Sequence, residues 1–166
     1  MTDVNALDRA GFATLLGGVF EHSPWVAELA WTQRPFASLD ALHRALVGVV
    51  ETADEAAQLG LLRAHPELAR PGPLTAASQG EQGGLGLDTL EADEAARFAR
   101  TNELYRERFG FPFIIAVRGQ RDRAAILRAM RERLGNPPDA ERRRALAEVA
   151  RIARFRLQDL LGGDDG

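Results

Sequence analysis

Apolar residues recur at helical spacing along almost the whole chain, and this pattern limits the fold more than any other feature. Apolar side chains three and four residues apart predict amphipathic helices, each with one face that must be covered. The predicted helices cover residues 7–20, 24–32, 38–50, 53–64, 88–108, 121–134 and 139–161. The sequence therefore predicts an all-α fold: one domain over residues 1–166, built as a bundle of about seven to eight helices.

One run does not fit the helical pattern. Residues 109–119, FGFPFIIAVRG, are the most apolar stretch, and their β-branched and aromatic content is typical of a strand. No second convincing strand exists to pair with it, and Pro112 disfavours a regular helix. We therefore expect a buried extended FPFII segment. Its peptide groups suit a polar heterocyclic ligand, but a plain core segment explains the same composition.

Composition restricts the possible chemistry. The net charge of −3 argues against a nucleic-acid partner, because such proteins favour a basic surface. All 21 basic residues are arginine, which excludes a lysine Schiff base, including that of pyridoxal phosphate. Cysteine is absent, so thiol nucleophiles and thiolate metal sites are excluded. No second histidine lies at ligand spacing from His65, which disfavours a metal site. The sequence predicts a protein that needs no cofactor or metal.

The sequence shows no sign of a targeting or membrane segment. The N-terminus lacks a basic start followed by an apolar run, and no apolar stretch approaches the ~20 residues of a membrane span. The ending also lacks a peroxisomal Ser-Lys-Leu signal. We therefore expect a cytoplasmic protein that does not use a membrane.

The Gly- and Pro-rich stretch of residues 63–87 breaks the helical pattern and predicts an irregular segment. Loops on a rigid scaffold often carry chemistry. His65 can exchange a proton near neutral pH, and Glu81 can orient it, share its proton or hold a substrate. Two structural explanations stay open. His65 before Pro66 can mark a helix end, and Ser78 with Glu81 fits a capping box.

A single arginine stands out near the C-terminus. Arg156 falls at the edge of the apolar stripe of the last predicted helix. A guanidinium directed along an apolar face needs a partner, and a ligand carboxylate would serve. Alternatively, the side chain covers apolar surface with its stem and keeps its charge in water.

Five stretches together resemble one enzyme family, the 2-oxo-4-hydroxy-4-carboxy-5-ureidoimidazoline (OHCU) decarboxylases, which complete the conversion of urate to S-allantoin. The stretches are FEHSPWVAELAWTQRPF (20–36), LLRAHPELA (61–69), LTAASQGEQGGLGL (74–87), NELYRERFGFPFIIAVRG (102–119) and ALAEVARIARFRL (145–157). They follow the family's order and cover nearly the whole chain. The combination of HPEL, SxxEQ and FGFPFI is specific, whereas each motif alone is weak.

The resemblance implies an all-helical, cofactor-independent carboxy-lyase of purine metabolism, often a homodimer. It also implies His65 as the catalytic histidine and Glu81 as its partner carboxylate. The positions that match substrate contacts are Pro66, Ser78, Gln82, Phe113, Ile114, Ile115, Ala116, Val117 and Arg156. The register of Arg156 is the least fixed, because other arginines lie close by.

Two other functions remain compatible with the residues. A helical interaction or scaffolding module explains the amphipathic helices but gives no reason for His65, Glu81 and Arg156 to converge. A related ureide hydrolase or racemase could use the same pocket.

Overall fold

A computed structural model describes residues 1–69 and 74–162. Within these ranges there is no strand, and the all-α prediction is confirmed. The nine α-helices are α1 Thr2–Ala6, α2 Arg9–Leu16, α3 Trp25–Ala30, α4 Leu39–Glu51, α5 Glu55–Ala64, α6 Ala76–Gly83, α7 Ala92–Phe109, α8 Arg123–Arg133 and α9 Pro138–Leu161. A 3-10 turn, Trp31–Gln33, follows α3. The described part of the chain thus has more helices than the seven to eight predicted, because α1 and α6 were not expected.

The chain forms two compact units. The first consists of residues 1–64 together with the chain from Ala150 onward, and the second runs from His65 to Val149. Helix α9 contributes its N-terminal half to the second unit and its C-terminal half to the first. The prediction of one domain over residues 1–166 stays a prediction. No helix among the described residues is long and apolar enough to cross a membrane.

The first unit contains α1 to α5, with α2 packed on α3 and α3 packed on α4. Side-chain caps fix three helix starts of this unit: Asp8 accepts from the Gly11 N–H at 2.7 Å, Ser38 accepts from the Ala41 N–H at 3.1 Å, and Asp54 accepts from the Ala57 N–H at 2.7 Å. Helix α2 ends at Leu16, earlier than the predicted residue 20. The fully buried apolar side chains of this unit are Phe12, Val26, Ala30, Leu42, Leu46, Leu62, Ala153 and Leu157.

The second unit is arranged around α7, against which α8 packs. Helix α7 begins at Ala92, not at residue 88 as predicted, and Gly110 ends it with φ 79°. This left-handed conformation is one that glycine adopts without strain, so the C-terminal boundary was predictable. Tyr105 of α7 is fully buried, and its ring packs edge-to-face with the Phe113 ring. The ring centroids are 5.3 Å apart and the ring planes make an angle of 88°.

The expectation of an irregular Gly-rich segment is wrong for residues 76–83, which form α6. Thr75 is the cap of this helix, and its side chain accepts from the Ser78 N–H at 3.3 Å. Ser78 therefore lies inside the first turn, so the capping box of Ser78 and Glu81 does not exist. Glycine lowers helix propensity, and the Thr75 cap offsets part of that penalty. Pro71 and Pro73, also part of the segment predicted to be irregular, lie outside the described residues.

Candidate active site

The predicted catalytic histidine follows directly after a helix. Helix α5 ends at Ala64, and His65 and Pro66 come next, both half-buried. Residues 65–69, HPELA, form a turn that we call the His65 loop. Its last residue, Ala69, has φ 58°, a left-handed conformation that is uncommon for a residue other than glycine. Such a conformation persists only where neighbouring groups hold it.

Gln82 of α6 supplies part of that support. Its Oε1 accepts from the Ala69 N–H at 3.0 Å, and its Nε2 donates to the Glu67 carbonyl at 3.4 Å. The side chain is only 5% exposed. Gln82 therefore fixes the His65 loop with both ends of its amide, a role that its motif did not indicate. Its predicted contact with substrate stays a prediction.

Helix α7 holds the same loop through two residues one turn apart. The Asn102 Nδ2 donates to the Leu68 carbonyl at 2.8 Å, and Arg106 pairs with the Glu67 carboxylate. In the sequence, Asn102 stands out only as the first residue of the stretch 102–119 that matches the family. No sequence pattern could assign it this contact, because its partner lies 34 residues away.

Glu81 of α6 is half-buried. It lines a cavity of about 280 Å³ together with Gly80, Gly84, Leu85, Val117, Arg118, Gly119 and Gln120. The cavity brings together two predicted site residues, Glu81 from α6 and Val117 from the extended segment. Arg118 and Gln120 were not predicted as site residues. The signal for them was Gly119, whose φ of 91° turns the chain where the apolar run ends.

The expected buried extended segment is confirmed: residues 111–117 are all buried and form no helix or strand. Charged side chains partner its peptide groups in place of a neighbouring strand. Arg133 donates from Nη1 to the Ile114 carbonyl at 2.7 Å, and Glu148 accepts from the Ala116 N–H at 3.0 Å. These two hydrogen bonds explain how a lone extended segment can be buried without leaving these polar groups unpaired.

A buried carboxylate stabilises Arg133 in turn. Glu141 is fully buried and accepts from Arg133 Nε at 2.6 Å, from the Tyr105 hydroxyl at 2.6 Å and from Asn136 Nδ2 at 3.0 Å. Burial raises the pKa of Tyr105 far above its ordinary value, and the hydrogen bond to Glu141 raises it further. We call these four residues the Glu141 network. The guanidinium of Arg133 also lies 4.4 Å from the centre of the Phe113 ring.

The last predicted site residue, Arg156, lies in the first unit on α9. It is 4% exposed, and its Nη1 donates to Glu21 Oε2 at 2.7 Å and to the Gly18 carbonyl at 3.1 Å. The alternative of a solvated, snorkelling arginine is therefore wrong, because the guanidinium is buried beside a carboxylate. Its predicted contact with substrate stays a prediction.

Comparison with known proteins identifies the family of this chain. A sequence model of the OHCU decarboxylase family matches residues 5–158. This chain belongs to the OHCU decarboxylase family. The OHCU decarboxylase of Haloferax volcanii is 45% identical over 159 residues, covering 96% of this chain and 94% of that protein.

Two further proteins extend the family comparison. The uric acid degradation bifunctional protein PucL of Bacillus subtilis is 43% identical over 161 residues, covering 97% of this chain and 32% of that longer protein. A crystal structure of (S)-allantoin synthase has a TM-score of 0.78 at 31% identity, covering 96% of this chain and 53% of that one. The family predicted from the motifs is confirmed.

Proposed function

We propose that this chain decarboxylates 2-oxo-4-hydroxy-4-carboxy-5-ureidoimidazoline to S-allantoin in urate degradation. The observation that carries the proposal is membership of the OHCU decarboxylase family, with a relative matched over nearly its full length. The structure adds support, because Gln82 of the SxxEQ motif is hydrogen-bonded to the loop of the HPEL motif.

The chemistry suits a protein without lysine or cysteine. When the bond between the ring carbon and the carboxylate breaks, carbon dioxide leaves and the electron pair stays on the ring. The conjugated imidazoline delocalises that pair, so no electron sink is needed from the protein. The enzyme must orient the substrate and deliver one proton to one face of the neighbouring ring carbon, which carries the ureido group, while the hydroxyl on the carbon that lost the carboxylate becomes the carbonyl of allantoin. The reaction therefore balances without a cofactor or a metal.

We assign the proton transfer to His65, with Glu81 orienting and tuning it. His65 is the side chain in the HPEL motif that can exchange a proton near neutral pH, and its loop is fixed by Gln82 and Asn102. Pro66, Ser78 and Gln82 would contact substrate. The peptide groups of residues 113–117 would bind the ring, and Arg156 would anchor a carboxylate or a ring carbonyl.

The test is to generate the unstable substrate in place from urate and to follow carbon dioxide release and optical activity. A decarboxylase gives rapid release and one-handed allantoin, and a chelator leaves both unchanged. A scaffolding module gives only the slow racemic background. A racemase would convert purified S-allantoin into the racemate, and a hydrolase would break the ureide down further.

A matched pair of histidine variants assigns the proton donor. His65→Asn should abolish one-handed product. His22→Asn should retain it, because His22 is exposed and has φ 51°, a conformation that asparagine tolerates well. Equal loss in both variants would remove His65 from the mechanism.

The family resemblance also supports a cytoplasmic homodimer. Sedimentation velocity over a range of protein concentrations tests the dimer, and a single monomeric species at all concentrations would contradict it.

A further inference from the structure

Three consecutive residues of the His65 loop are held by side chains from other helices. Gln82 donates to the Glu67 carbonyl and accepts from the Ala69 N–H, and Asn102 donates to the Leu68 carbonyl at 2.8 Å. Ala69 is in the left-handed region, which favours glycine. Because this conformation is unfavourable for alanine, these contacts must maintain it.

Asn102 is not explained by stability alone. It is 5% exposed, and its Oδ1 is buried with no hydrogen-bond partner among the described residues. An unsatisfied buried acceptor is unfavourable, and most buried polar atoms in native proteins avoid that state. A leucine fills a similar volume without this disadvantage. What leucine lacks is the amide donor that grips Leu68.

We propose that Asn102 is a positioning residue for the reaction. By fixing the Leu68 peptide it holds the His65 loop, and so keeps the imidazole where it can deliver a proton to one face of the substrate. This inference rests on the proposed function of the chain. It differs from the role of Gln82, which is also predicted to contact substrate, because Asn102 acts only through the loop.

The experiment compares Asn102→Leu with Thr101→Val. Thr101 is also buried on α7, but its hydroxyl donates to the Arg97 carbonyl of its own helix at 2.8 Å. Asn102→Leu should lower kcat per folded molecule by about 10–100-fold, the range expected for a small misplacement of a reacting group. KM should change little, and the enantiomeric excess of allantoin should fall. Thr101→Val should keep wild-type kcat and enantiomeric excess.

A conservative variant tests the role of the amide donor. Asn102→Gln keeps the donor on a longer side chain and should recover part of the kcat and the enantiomeric excess. If Asn102→Leu does not fold, Asn102→Ala removes the same donor and is measured by the same criteria. Wild-type kcat and enantiomeric excess per folded molecule in the donor-free variant would overturn the proposal. An equal loss in Thr101→Val would overturn it too.

Hydrogen exchange separates this inference from the proposed function. Loss of the Asn102 donor should speed amide exchange at residues 67–69 and leave α8 unchanged, whether or not the protein is active. Faster exchange in a protein whose wild type lacks decarboxylase activity would reject the function and, with it, the part of Asn102 in the reaction. Unchanged exchange would show that Asn102 does not hold the loop.

Discussion

At the scale of single residues, Glu81 lies toward the C-terminal end of α6, beyond the turn that Thr75 caps. The C-terminal end of a helix carries partial negative charge, so a carboxylate there is slightly unfavourable for folding. The residue therefore does not contribute to the stability of α6 through capping or through the helix dipole. The role proposed for Glu81 in the chemistry of His65 depends on neither of these contributions.

Glu81→Gln should leave the melting temperature unchanged or slightly higher and lower kcat. General acid–base groups contribute about 10²–10⁴-fold to rate, and loss of the tuning carboxylate should fall in that range. Gln79→Ala, at an exposed position of the same helix, is the control and should have wild-type kcat. A lower melting temperature with intact turnover in Glu81→Gln would mean a structural role instead.

Arg156 presents a different question, because its guanidinium already pairs with the buried Glu21. Arg156→Lys keeps the charge but loses the planar fork that can grip two groups at once. If Arg156 binds substrate, the variant should fold and raise KM, with a loss of about 1–3 kcal/mol in binding.

Two controls separate the roles of Arg156. Arg151→Lys, at an exposed position of the same helix, should change neither KM nor stability. Glu21→Gln removes the carboxylate from the pair. If Arg156→Lys and Glu21→Gln both lower the melting temperature while KM stays at its wild-type value, then Arg156 serves only the ion pair.

At the scale of elements, the extended segment of residues 111–117 depends on side chains for its hydrogen bonds. Glu148→Leu leaves the buried Ala116 N–H without its acceptor, which costs about 1–3 kcal/mol. Urea denaturation should show this loss, and KM should rise as the segment shifts. Glu148→Gln keeps a carbonyl acceptor and should lose clearly less stability. Equal losses in the two variants would show that the charge of Glu148 matters more than its hydrogen bond to Ala116.

Elements with a long apolar stripe could be predicted from the sequence, because their periodicity is local information. Helix α4 is an example: it was predicted over residues 38–50 and covers Leu39–Glu51. Helix α6 could not, because its glycines have low helix propensity and its stability comes from the Thr75 cap and from packing. The extended segment was predictable by exclusion. Its partners Arg133 and Glu148 were not, because contacts 19 and 32 residues apart leave no periodic signal.

The candidate site, too, could be predicted only in part from the sequence. His65, Glu81 and the extended segment could be named from motifs. The hydrogen bonds of Gln82 and Asn102 to the His65 loop could not, because they depend on how α6 and α7 pack around it.

At the scale of the whole molecule, the two units carry different chromophores. Trp25 and Trp31 belong to the first unit, and the sole tyrosine, Tyr105, belongs to the second. If residues 1–166 form one domain, unfolding is cooperative, because α9 runs through both units without a break. Tryptophan fluorescence and tyrosine absorbance should then give the same urea midpoint. Two separate midpoints would show that the units unfold independently.

The Glu141 network should also control how the protein responds to alkali. Since the chain has no lysine or cysteine, Tyr105 is its only side chain with an ordinary pKa between about 8 and 12. The pKa of Tyr105 is raised in the folded state, so its contribution to stability is complete below pH of about 10 and decreases as pH rises above that value.

The unfolding free energy should therefore fall by about 1.4 kcal/mol per pH unit above pH of about 10. Tyr105→Phe should remove that slope, and an equal slope in the variant would assign it to another group. Tyrosinate absorbance should appear only as the protein unfolds. In an alkaline titration, tyrosinate absorbance can thus report the exposure of the buried interior around Tyr105 and Phe113, with no label added to the protein.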